Sequence, residues 1–540
     1  MAEAITAREV LDQILFKYRA AIDVGEYQPF VWPHRALGPY LLIFYLLLPL
    51  SQSPVVHYAR YPLFALIIYL SVSAIRDCRS PGVTLGYGIG LLNTWTILWS
   101  ATLIIFNDAR RDYKRIERQE RLDDPPDVQG LVENIQGNTS ALDGSTTDGL
   151  KLLHPVGELP EPQPSVTDNL APRLHSPEVF AAQEPVPSSS QEVYTWQSLP
   201  NDLFHRLDFV LDLVTNFRGL RWTHQRPGTY PPPQHIRETL TNPETPASLH
   251  PNKYPSYRIL FTTNFQYFVL CALTLDTLKY VTSLDPYFLA QGQNTPSPFP
   301  VAHTVRLTLS LLFTFASLLN IFLLAPLILA CTFGPRLLGP HASTWLYPPL
   351  FGSLSSIAEQ GLAGLWGGWW HQLFRYAFEA AGDYVGGKLL RLPKKSIPGG
   401  IVRVFVAFVC SGMLHGFASY TVLGDTKPIS GSFLFFALQP VGIVAQRALS
   451  IYLKQKGYRE AIPPWMRKTG NVLVVVLWCR LTGPLIADEF AACGIWLYEP
   501  LPVSLIRGLR GEGWWRWGGE WVRWYSGDRW WRSGLVFLGG

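Results

Sequence analysis

Six apolar stretches of this chain approach or exceed the roughly 20 residues that an α-helix needs to cross the hydrocarbon core of a membrane. They cover residues 83–106, 257–278, 307–333, 401–424, 432–453 and 470–492. Two shorter stretches, 37–50 and 61–76, contain prolines and are predicted to span only with their flanks, or as a hairpin. Charged residues make up 16% of the 540 positions, against about a quarter in soluble proteins. We therefore expect an all-α integral membrane protein, a multi-pass bundle of about eight transmembrane helices.

The apolar stretches and the composition between them divide the chain into four regions. The first thirty residues are charged and contain no compact apolar segment, which predicts insertion through the first spans and no cleaved leader. The predicted regions are N-terminal transmembrane segments (1–110), a polar and mostly disordered loop (111–200), a second membrane core (201–495) and a tryptophan-rich tail (496–540). In the tail, tryptophans alternate with arginines and glycines, a composition typical of anchoring at the headgroup level.

The polar loop begins with a helix-prone basic run, NDARRDYKRIERQERLDD, and continues with residues too polar to bury a core. Four arginines follow the apolar stretch 83–106 and predict a cytosolic loop by the positive-inside rule. They are Arg110, Arg111, Arg115 and Arg118. Asn138 lies in the sequon NTS and is a candidate for glycosylation. That modification requires a lumenal loop, which the arginines oppose, so a chance sequon is favoured.

Charge and cysteine content exclude two classes of function. The net charge is +5, and no lysine and arginine tract of the kind that follows a nucleic-acid backbone is present, so nucleic acid is not an expected partner. The six cysteines are dispersed and form no CxxC pair. This spacing predicts neither a metal site nor a disulfide framework.

Two segments of the second core are not predicted to cross the membrane. Residues 203–222, LFHRLDFVLDLVTNFRGLRW, have apolar side chains at helical spacing and predict an amphipathic helix on the membrane or against the bundle. Residues 347–395 contain paired prolines and many glycines. Irregular backbone at membrane depth is tolerated only where protein or a cavity covers it, so we expect a re-entrant or interfacial element there.

The stretch FVCSGMLHGFASY places one histidine, His415, inside an apolar span. On a helix it shares a face with Ser411, Gly412 and Ser419, and this face is predicted to border a substrate cavity. Ionisable side chains inside a membrane are costly and usually face a cavity or pathway, which favours a functional role. There an imidazole can accept the proton of an alcohol that attacks a carbonyl carbon. The alternative is a structural histidine that hydrogen-bonds a neighbouring helix.

A second histidine, His371, lies in the segment WGGWWHQLFRYAFEAAGDYV. If this segment is helical beyond Trp369, His371 begins a polar row with Arg375, Glu379 and Asp383 at four-residue spacing. Periodicity alone favours the alternative of an interfacial helix with an exposed Arg375–Glu379 pair.

Three short motifs resemble one family. LWGGWWHQLFR resembles its Trp-His-Gln box, SGMLHG its Ser-Gly-x-x-His box, and NFRGLRW the Arg-Gly-x-x-Trp motif that precedes both. Their order and spacing, over residues 200–490, resemble the wax synthase-like branch of the membrane-bound O-acyltransferases, especially fungal members that acetylate terpenoid and meroterpenoid metabolites.

The resemblance implies that His415 is the catalytic histidine and that Trp370 and His371 hold the second polar position of the active site. It also implies an acyl-CoA co-substrate, acetyl-CoA in the members most resembled, no permanently bound cofactor, and a multi-pass fold with a tunnel that CoA and acceptor enter from opposite sides. We expect the membrane to be that of the endoplasmic reticulum.

The chain departs from the family pattern at two places. Arg221 stands where members often have a second glycine, and Gly367 and Gly368 stand where arginines are commoner. Three arginines around the first motif, Arg218, Arg221 and Arg226, are candidates to bind CoA phosphates, to which guanidinium groups are suited. The alternative is a basic flank at the membrane surface.

The sequence thus favours an acyl-CoA-dependent O-acyltransferase whose partners are membrane lipid and a hydrophobic alcohol. A hydroxyl of a secondary metabolite is the preferred acceptor, and a long-chain alcohol that yields wax esters is the alternative. A hypothesis from another class is a membrane transporter or lipid-binding protein. Transporters typically contain internal repeats and paired broken helices, whereas this chain contains one broken segment and no second copy of it.

Overall fold

The computed structural model describes residues 6–49, 54–119, 193–226, 230–240, 254, 256–289 and 297–538. Asn138 and most of the polar 111–200 region lie outside the described residues. The chain forms two compact units, one of Met1–Glu117 with Thr195–Gly540 and one of Arg118–Tyr194. All candidate site residues within the described part belong to the first unit.

Helices dominate the described residues. The longer ones are α1 (Ala7–Asp23), α2 (Leu37–Leu47), α3 (Arg60–Asp77), α4 (Val83–Ser100), α5 (Leu203–Thr215), α6 (Tyr257–Thr282), α7 (Ala302–Ala325), α8 (Arg375–Asp383), α9 (Ile397–Tyr420), α10 (Leu434–Gln455) and α11 (Pro464–Ala492). Wider π-helical turns cover Ala101–Phe106, Pro326–Phe333, Leu365–Trp369, Tyr384–Leu389 and Ile429–Phe433. The short strands pair as Gln28–Pro29 with Cys78–Arg79, Arg115–Gln119 with Val193–Gln197, and Val522–Tyr525 with Gly534–Phe537.

Seven helices of the described part are long and apolar enough to cross a membrane. They are Pro54–Asp77, Val83–Phe106, Tyr257–Thr282, Ala302–Phe333, Ile397–Tyr420, Ile429–Gln455 and Pro464–Ala492. The predicted integral membrane bundle is therefore confirmed. The difference from eight spans lies at 37–50, where α2 has 11 residues, too few at 1.5 Å per residue to cross about 30 Å of hydrocarbon.

The basic run after the third predicted span is not the helix that its composition favours. A helix persists only over Ala109–Asp112, and Arg115–Gln119 is a strand. Tertiary contacts outweigh helix propensity here: Arg115 is 2% exposed and its Nε donates to Gln197 Oε1 at 2.8 Å. Arg110 is also buried and donates to the carbonyl oxygen of Leu48 at 2.8 Å. Since two of the four arginines are used inside the protein, a cytosolic loop stays a prediction.

Helix α9, which carries His415, is fixed at both ends. At its start, Ser396 Oγ accepts a hydrogen bond from the backbone of Gly399 at 3.1 Å, and a proline follows in the first turn, where it leaves no donor unsatisfied. Just beyond its end, Thr421 Oγ1 accepts from the backbone of Gly90 at 3.0 Å and donates to the carbonyl of Gly86 at 2.8 Å. These bonds join α9 to α4.

The contact between α4 and α9 depends on glycine. A Cβ at Gly90 would overlap the carbonyl group of Phe417 and the Cα of Ala418. Small residues allow helix backbones in a membrane to approach closely and gain packing energy. Gly90 therefore sets the separation of the two helices.

The segment predicted to be re-entrant or interfacial is broken throughout. It contains the short helices Ser355–Gln360 and Leu362–Gly364, the π turn Leu365–Trp369, and α8. Gly352 donates from its backbone to the carbonyl of Trp369 at 2.8 Å, and this bond closes the segment into a hairpin-like loop. This bond satisfies one donor and one acceptor of the irregular backbone within the protein, and the re-entrant or interfacial placement stays a prediction.

The tryptophan-rich tail forms a small antiparallel hairpin of Val522–Tyr525 with Gly534–Phe537. Leu535 pairs with Trp32, and Trp530 packs edge-on against His34 at 5.5 Å, so the tail is attached to the N-terminal part of the chain. Six of its tryptophans are exposed: Trp514, Trp515, Trp521, Trp524, Trp530 and Trp531. Anchoring of these indoles at the headgroup level stays a prediction.

We expect Gly90→Leu to reduce the stability of the protein in detergent by about 1–3 kcal/mol, because overpacking forces α4 away from α9. Gly88→Leu is the matched control, since a Cβ at Gly88 meets nothing within 4 Å. Thermal unfolding followed by size-exclusion chromatography measures both variants. Equal melting temperatures for the two would show that the close contact does not hold the bundle together.

Candidate active site

His415 lies in the middle of α9 and is held by two residues from other helices. Its Nδ1 is 2.8 Å from the hydroxyl oxygen of Tyr87 on α4. Its ring stacks on Phe436 of α10, with centroids 4.6 Å apart and planes 13° from parallel. One ring nitrogen and one ring face are therefore fixed, and the imidazole is only partly accessible.

An aromatic wall leads from His415 to His371. The ring centroids of Phe436 and Trp366 are 6.1 Å apart, and those of Trp366 and Trp370 are 5.9 Å apart. The Trp370 and His371 centroids are 5.1 Å apart. The structure thus brings His371, Trp370 and His415 into one region, and their roles stay a prediction.

Gln439, 1% exposed on α10, anchors this wall. Its side-chain oxygen accepts hydrogen bonds from the indole nitrogens of Trp366 at 3.2 Å and Trp478 at 3.0 Å. Its amide nitrogen donates to the carbonyl of Phe435 at 2.8 Å. A buried amide with partners on both ends fixes the orientation of the two indoles.

His371 follows a π turn and lies outside α8, which begins at Arg375. The four-residue polar row therefore does not include it, although the Arg375–Glu379 pair is present at 2.6 Å. Burial, with the nearby Arg218 cation, lowers the pKa of His371 to about 4. Its Nδ1 is buried and makes no hydrogen bond within the described part of the chain. His371 is thus a neutral imidazole with one unused nitrogen.

Two of the three glycines just before Trp369 allow close packing. A Cβ at Gly364 would overlap the carbonyl of Ser356, and one at Gly368 would press on the Ser356 side chain. A Cβ at Gly367 meets nothing within 4 Å. An arginine is therefore compatible with position 367 and incompatible with position 368 in this fold.

The residues predicted to border a substrate cavity beside His415 have protein neighbours. A Cβ at Gly412 would lie 3.0 Å from Phe433, and the Ser419 hydroxyl donates to Glu489 of α11. Glu489 also accepts from the backbone of Lys427 at 2.9 Å. Ser411 is buried. Gly412 and Ser419 thus take part in packing and in a polar contact that closes the loop after α9, and the cavity assignment of the three residues stays a prediction.

The motif NFRGLRW forms a compact turn after α5. The Asn216 side chain bridges to both backbone groups of Leu220, at 3.2 Å and 3.0 Å. Gly219 has φ +65°, and a Cβ there would meet the ring of His224 at 2.8 Å. Arg221 has φ +64°. The position at which family members often have a second glycine is therefore one whose backbone conformation favours glycine.

The three arginines of the predicted CoA site have different surroundings. Arg221 is 2% exposed and donates to the Asp212 carboxylate at 3.0 Å, beside the Trp222 indole, which donates to the same oxygen at 3.0 Å. Arg226 pairs with Glu379 at 2.9 Å. Arg218 donates to the carbonyl oxygens of Pro348 and Pro349, each at 3.1 Å. No carboxylate pairs with Arg218 among the described residues.

A cavity of about 710 Å³ lies beside Arg218, within the range typical of small-molecule sites. Its wall is mostly aromatic and aliphatic and includes Phe315 and Leu319 of α7. Phe351 lines the cavity and lies 5.5 Å from the Trp370 ring and 6.5 Å from the His371 ring. The cavity therefore adjoins the wall that carries the predicted active-site residues.

Sequence reasoning missed Tyr87, Phe436 and Gln439. Tyr87 is 328 positions from His415 along the chain, and no local pattern relates the two. Gln439 offers one signal, since it is a polar residue in the apolar stretch 432–453. Within the described ranges, no group of three or more metal-ligating side chains comes together.

Residues 347–438 match the membrane bound O-acyl transferase family, and this segment contains both His371 and His415. No solved structure matches the chain. The match covers the aromatic wall and α9 and excludes the turn that carries Arg218.

Curated relatives are described as acetyltransferases. The acetyltransferase spyB of Aspergillus fumigatus is 31% identical over 153 residues, 26% of this chain and 25% of that protein. The acetyltransferase pyr8 of the same fungus is 31% identical over 163 residues, 30% of this chain and 33% of that protein. The acetyltransferase aurG of Calcarisporium arbuscula is 34% identical over 139 residues, 26% of this chain and 33% of that protein. The chain thus spans a third or less of the length of these relatives, and its predicted resemblance to fungal acetyltransferases is confirmed.

We expect Arg221→Gly to be less destabilising than Arg221→Ala, by about 1 kcal/mol, because both leave Asp212 without its guanidinium but only glycine tolerates the left-handed backbone. Chemical denaturation of the purified protein, or melting temperatures in detergent, measure the difference. Gly219→Ala is the companion variant. It should destabilise the protein by more than the roughly 1 kcal/mol expected for backbone strain at position 221, because the new Cβ would also meet the His224 ring. A more stable alanine variant at position 221 would contradict the proposed strain.

Proposed function

We propose that this protein is an acyl-CoA-dependent O-acyltransferase that transfers an acetyl group to a hydroxyl of a hydrophobic secondary metabolite, such as a terpenoid or meroterpenoid. The observation that carries the proposal is the pair His371 and His415, which lie in one aromatic-walled region inside the segment that matches the O-acyltransferase family. The names of the relatives support acetyl as the group transferred. We also propose that the membrane is that of the endoplasmic reticulum.

His415 is the proposed general base. When Nδ1–H donates to the Tyr87 hydroxyl oxygen, Nε2 holds the lone pair. Nε2 removes the proton of the acceptor hydroxyl as its oxygen attacks the thioester carbonyl carbon. The tetrahedral adduct collapses, the carbon–sulfur bond breaks, and the departing CoA thiolate takes the proton from His415. The ester and CoA thiol are the products, so no proton or electron is left over.

His371 and Trp370 are proposed to orient the donor and to stabilise the oxyanion of the tetrahedral adduct. A neutral imidazole with an unused nitrogen can donate one hydrogen bond to a developing negative charge, and such a donor is most effective where water is excluded. The aromatic wall supplies that exclusion. It also protects the thioester from hydrolysis.

Of the three arginines around the first motif, Arg226 is the one proposed to bind a CoA phosphate. Its side chain is partly accessible and pairs with Glu379 at 2.9 Å, a partner that a phosphate group would have to displace. Arg221 is buried against Asp212, and Arg218 lines the apolar cavity. Binding of CoA phosphates by Arg218 or Arg221 is therefore not part of this proposal.

His415→Ala should lower the acyl-transfer rate in microsomes by at least about 100-fold at equal protein level, since a general base contributes roughly 10² to 10⁴ in rate. His303→Ala is the matched control, because His303 is an exposed histidine at the start of α7. Release of CoA thiol is measured together with the ester product. Near-normal transfer by His415→Ala would refute the assignment.

Tyr87→Phe should reduce kcat about 10-fold with little change in KM, because it removes one hydrogen bond that selects the reactive tautomer of His415 without removing its ring. Tyr69→Phe, at a tyrosine exposed on α3, is the control. Steady-state kinetics with acetyl-CoA measure both. An unchanged kcat in Tyr87→Phe would leave Tyr87 with a packing role only.

The choice of donor and acceptor separates the acetyltransferase from a wax ester synthase. Acetyl-CoA and palmitoyl-CoA are each supplied with a polycyclic terpenoid alcohol and with a long-chain primary alcohol. We expect ester formation chiefly from acetyl-CoA and the terpenoid alcohol. Preferred formation of the palmitoyl ester of the long-chain alcohol would favour the wax synthase, and no substrate-dependent CoA release would favour a transporter or lipid-binding protein.

A further inference from the structure

The cavity next to the aromatic wall contains an uncompensated charge. Both terminal nitrogens of Arg218 donate to backbone carbonyls, and its Nε is buried without a hydrogen-bond partner in the described part of the chain. A buried donor without a partner costs about 1–3 kcal/mol, and more when the group is charged. A buried cation is usually paired with an anion. In the described part of the chain, Arg218 has neither a partner for its Nε nor an anion beside it, and it lines the cavity.

Nearby carboxylates do not neutralise this charge. Asp212 also lines the cavity, but its carboxylate accepts hydrogen bonds from Arg221 and Trp222. Asp208 pairs with His341 at 2.8 Å. Burial lowers the pKa of Arg218 to about 10, so the guanidinium keeps its proton at neutral pH. The cavity therefore contains one fixed positive charge among apolar side chains.

The rest of the cavity lining is mostly apolar and therefore disfavours a ligand with several negative charges. Most lining residues are leucine, phenylalanine, tyrosine and proline, and many of them come from α7 and the segments 346–351 and 373–374. CoA carries a diphosphate and a further phosphate, whose several charges one arginine cannot compensate in such surroundings. A lipophilic molecule with a single anionic oxygen group satisfies both features, because its body fills the apolar volume and its anion pairs with Arg218.

We propose that the cavity between α6, α7 and Pro348–Phe351 binds a lipophilic monoanion, a polycyclic carboxylic acid, with its carboxylate on Arg218. A guanidinium presents hydrogen-bond donors in a planar fork that matches the geometry of a carboxylate. Phe351 and Phe374 line this cavity, and their rings lie 6.5 Å and 6.0 Å from the His371 ring. If the proposed acyl transfer is correct, this ligand is the acceptor alcohol, held by its carboxylate while its hydroxyl faces the histidines; binding itself does not depend on that reaction.

Equilibrium binding of a hydroxylated tricyclic diterpene acid and of its methyl ester tests the proposal. The full chain in nanodiscs is titrated with each tritiated probe, with empty nanodiscs subtracted. We expect the acid to bind at least about 10-fold more tightly than the ester, and Arg218→Met to abolish this preference. Arg218→Lys should retain part of it. Arg258→Met, at an exposed arginine on α6, should retain all of it.

Two further variants keep the test decisive if Arg218→Met does not fold. Leu319→Trp fills the cavity from α7 and should abolish saturable binding of both probes, whereas Leu311→Trp, at an exposed position of the same helix, should not. Equal affinities of the acid and the ester, an acid preference that survives in Arg218→Met, or unchanged binding in Leu319→Trp would each overturn the proposal.

The binding test is independent of catalysis. The same acid preference is expected in His415→Ala, which cannot perform the proposed reaction. A protein that binds the acid but transfers no acetyl group would leave this inference standing and refute the proposed function. A protein that acetylates a neutral alcohol and shows no acid preference would do the reverse.

Discussion

The close approach of α4 and α9 is the contact on which the geometry of the site depends. The missing side chain of Gly90 lets α4 lie against the backbone of Phe417 and Ala418, and Thr421 joins the two helices through hydrogen bonds to Gly86 and Gly90. At this separation a tyrosine hydroxyl one turn away reaches the Nδ1 of His415. A wider spacing would leave both polar groups unsatisfied in the membrane, which costs far more there than in water.

Most of the membrane helices could be predicted from the sequence because length and hydropathy are local properties, and the polar face of His415 could be predicted from helical periodicity. The Tyr87 partner could not, because the bond joins residues that are 328 positions apart. The strand at Arg115–Gln119 was missed for a related reason: a basic run favours helix by propensity, whereas the buried Arg115 side chain and the pairing with Val193–Gln197 decide the structure. The π turn ends at Trp369, Trp370 is extended, and α8 begins only at Arg375, four residues after His371.

The arginines of the first motif are close in sequence but have different partners in the fold. Sequence spacing predicts a single basic cluster. In the fold, the left-handed backbone at Arg221 turns its side chain inward to Asp212, while Arg218 turns to the carbonyls of Pro348 and Pro349. A glycine at position 221 would relieve the backbone and remove the Arg221–Asp212 ion pair. The departure from the family pattern is thus compensated by an internal ion pair, whereas Arg218 has no carboxylate partner among the described residues.

The placement of that charge also bears on which histidine accepts a proton in the proposed reaction. Arg218 lies close enough to His371 to lower its pKa, whereas His415 is hydrogen-bonded to an uncharged tyrosine. A positive charge forming on His371 would therefore face a fixed cation in an apolar region, where such repulsion is poorly screened. In the proposed reaction His415 takes the proton beside an uncharged tyrosine hydroxyl, and an anionic ligand on Arg218 would reduce the positive field at His371.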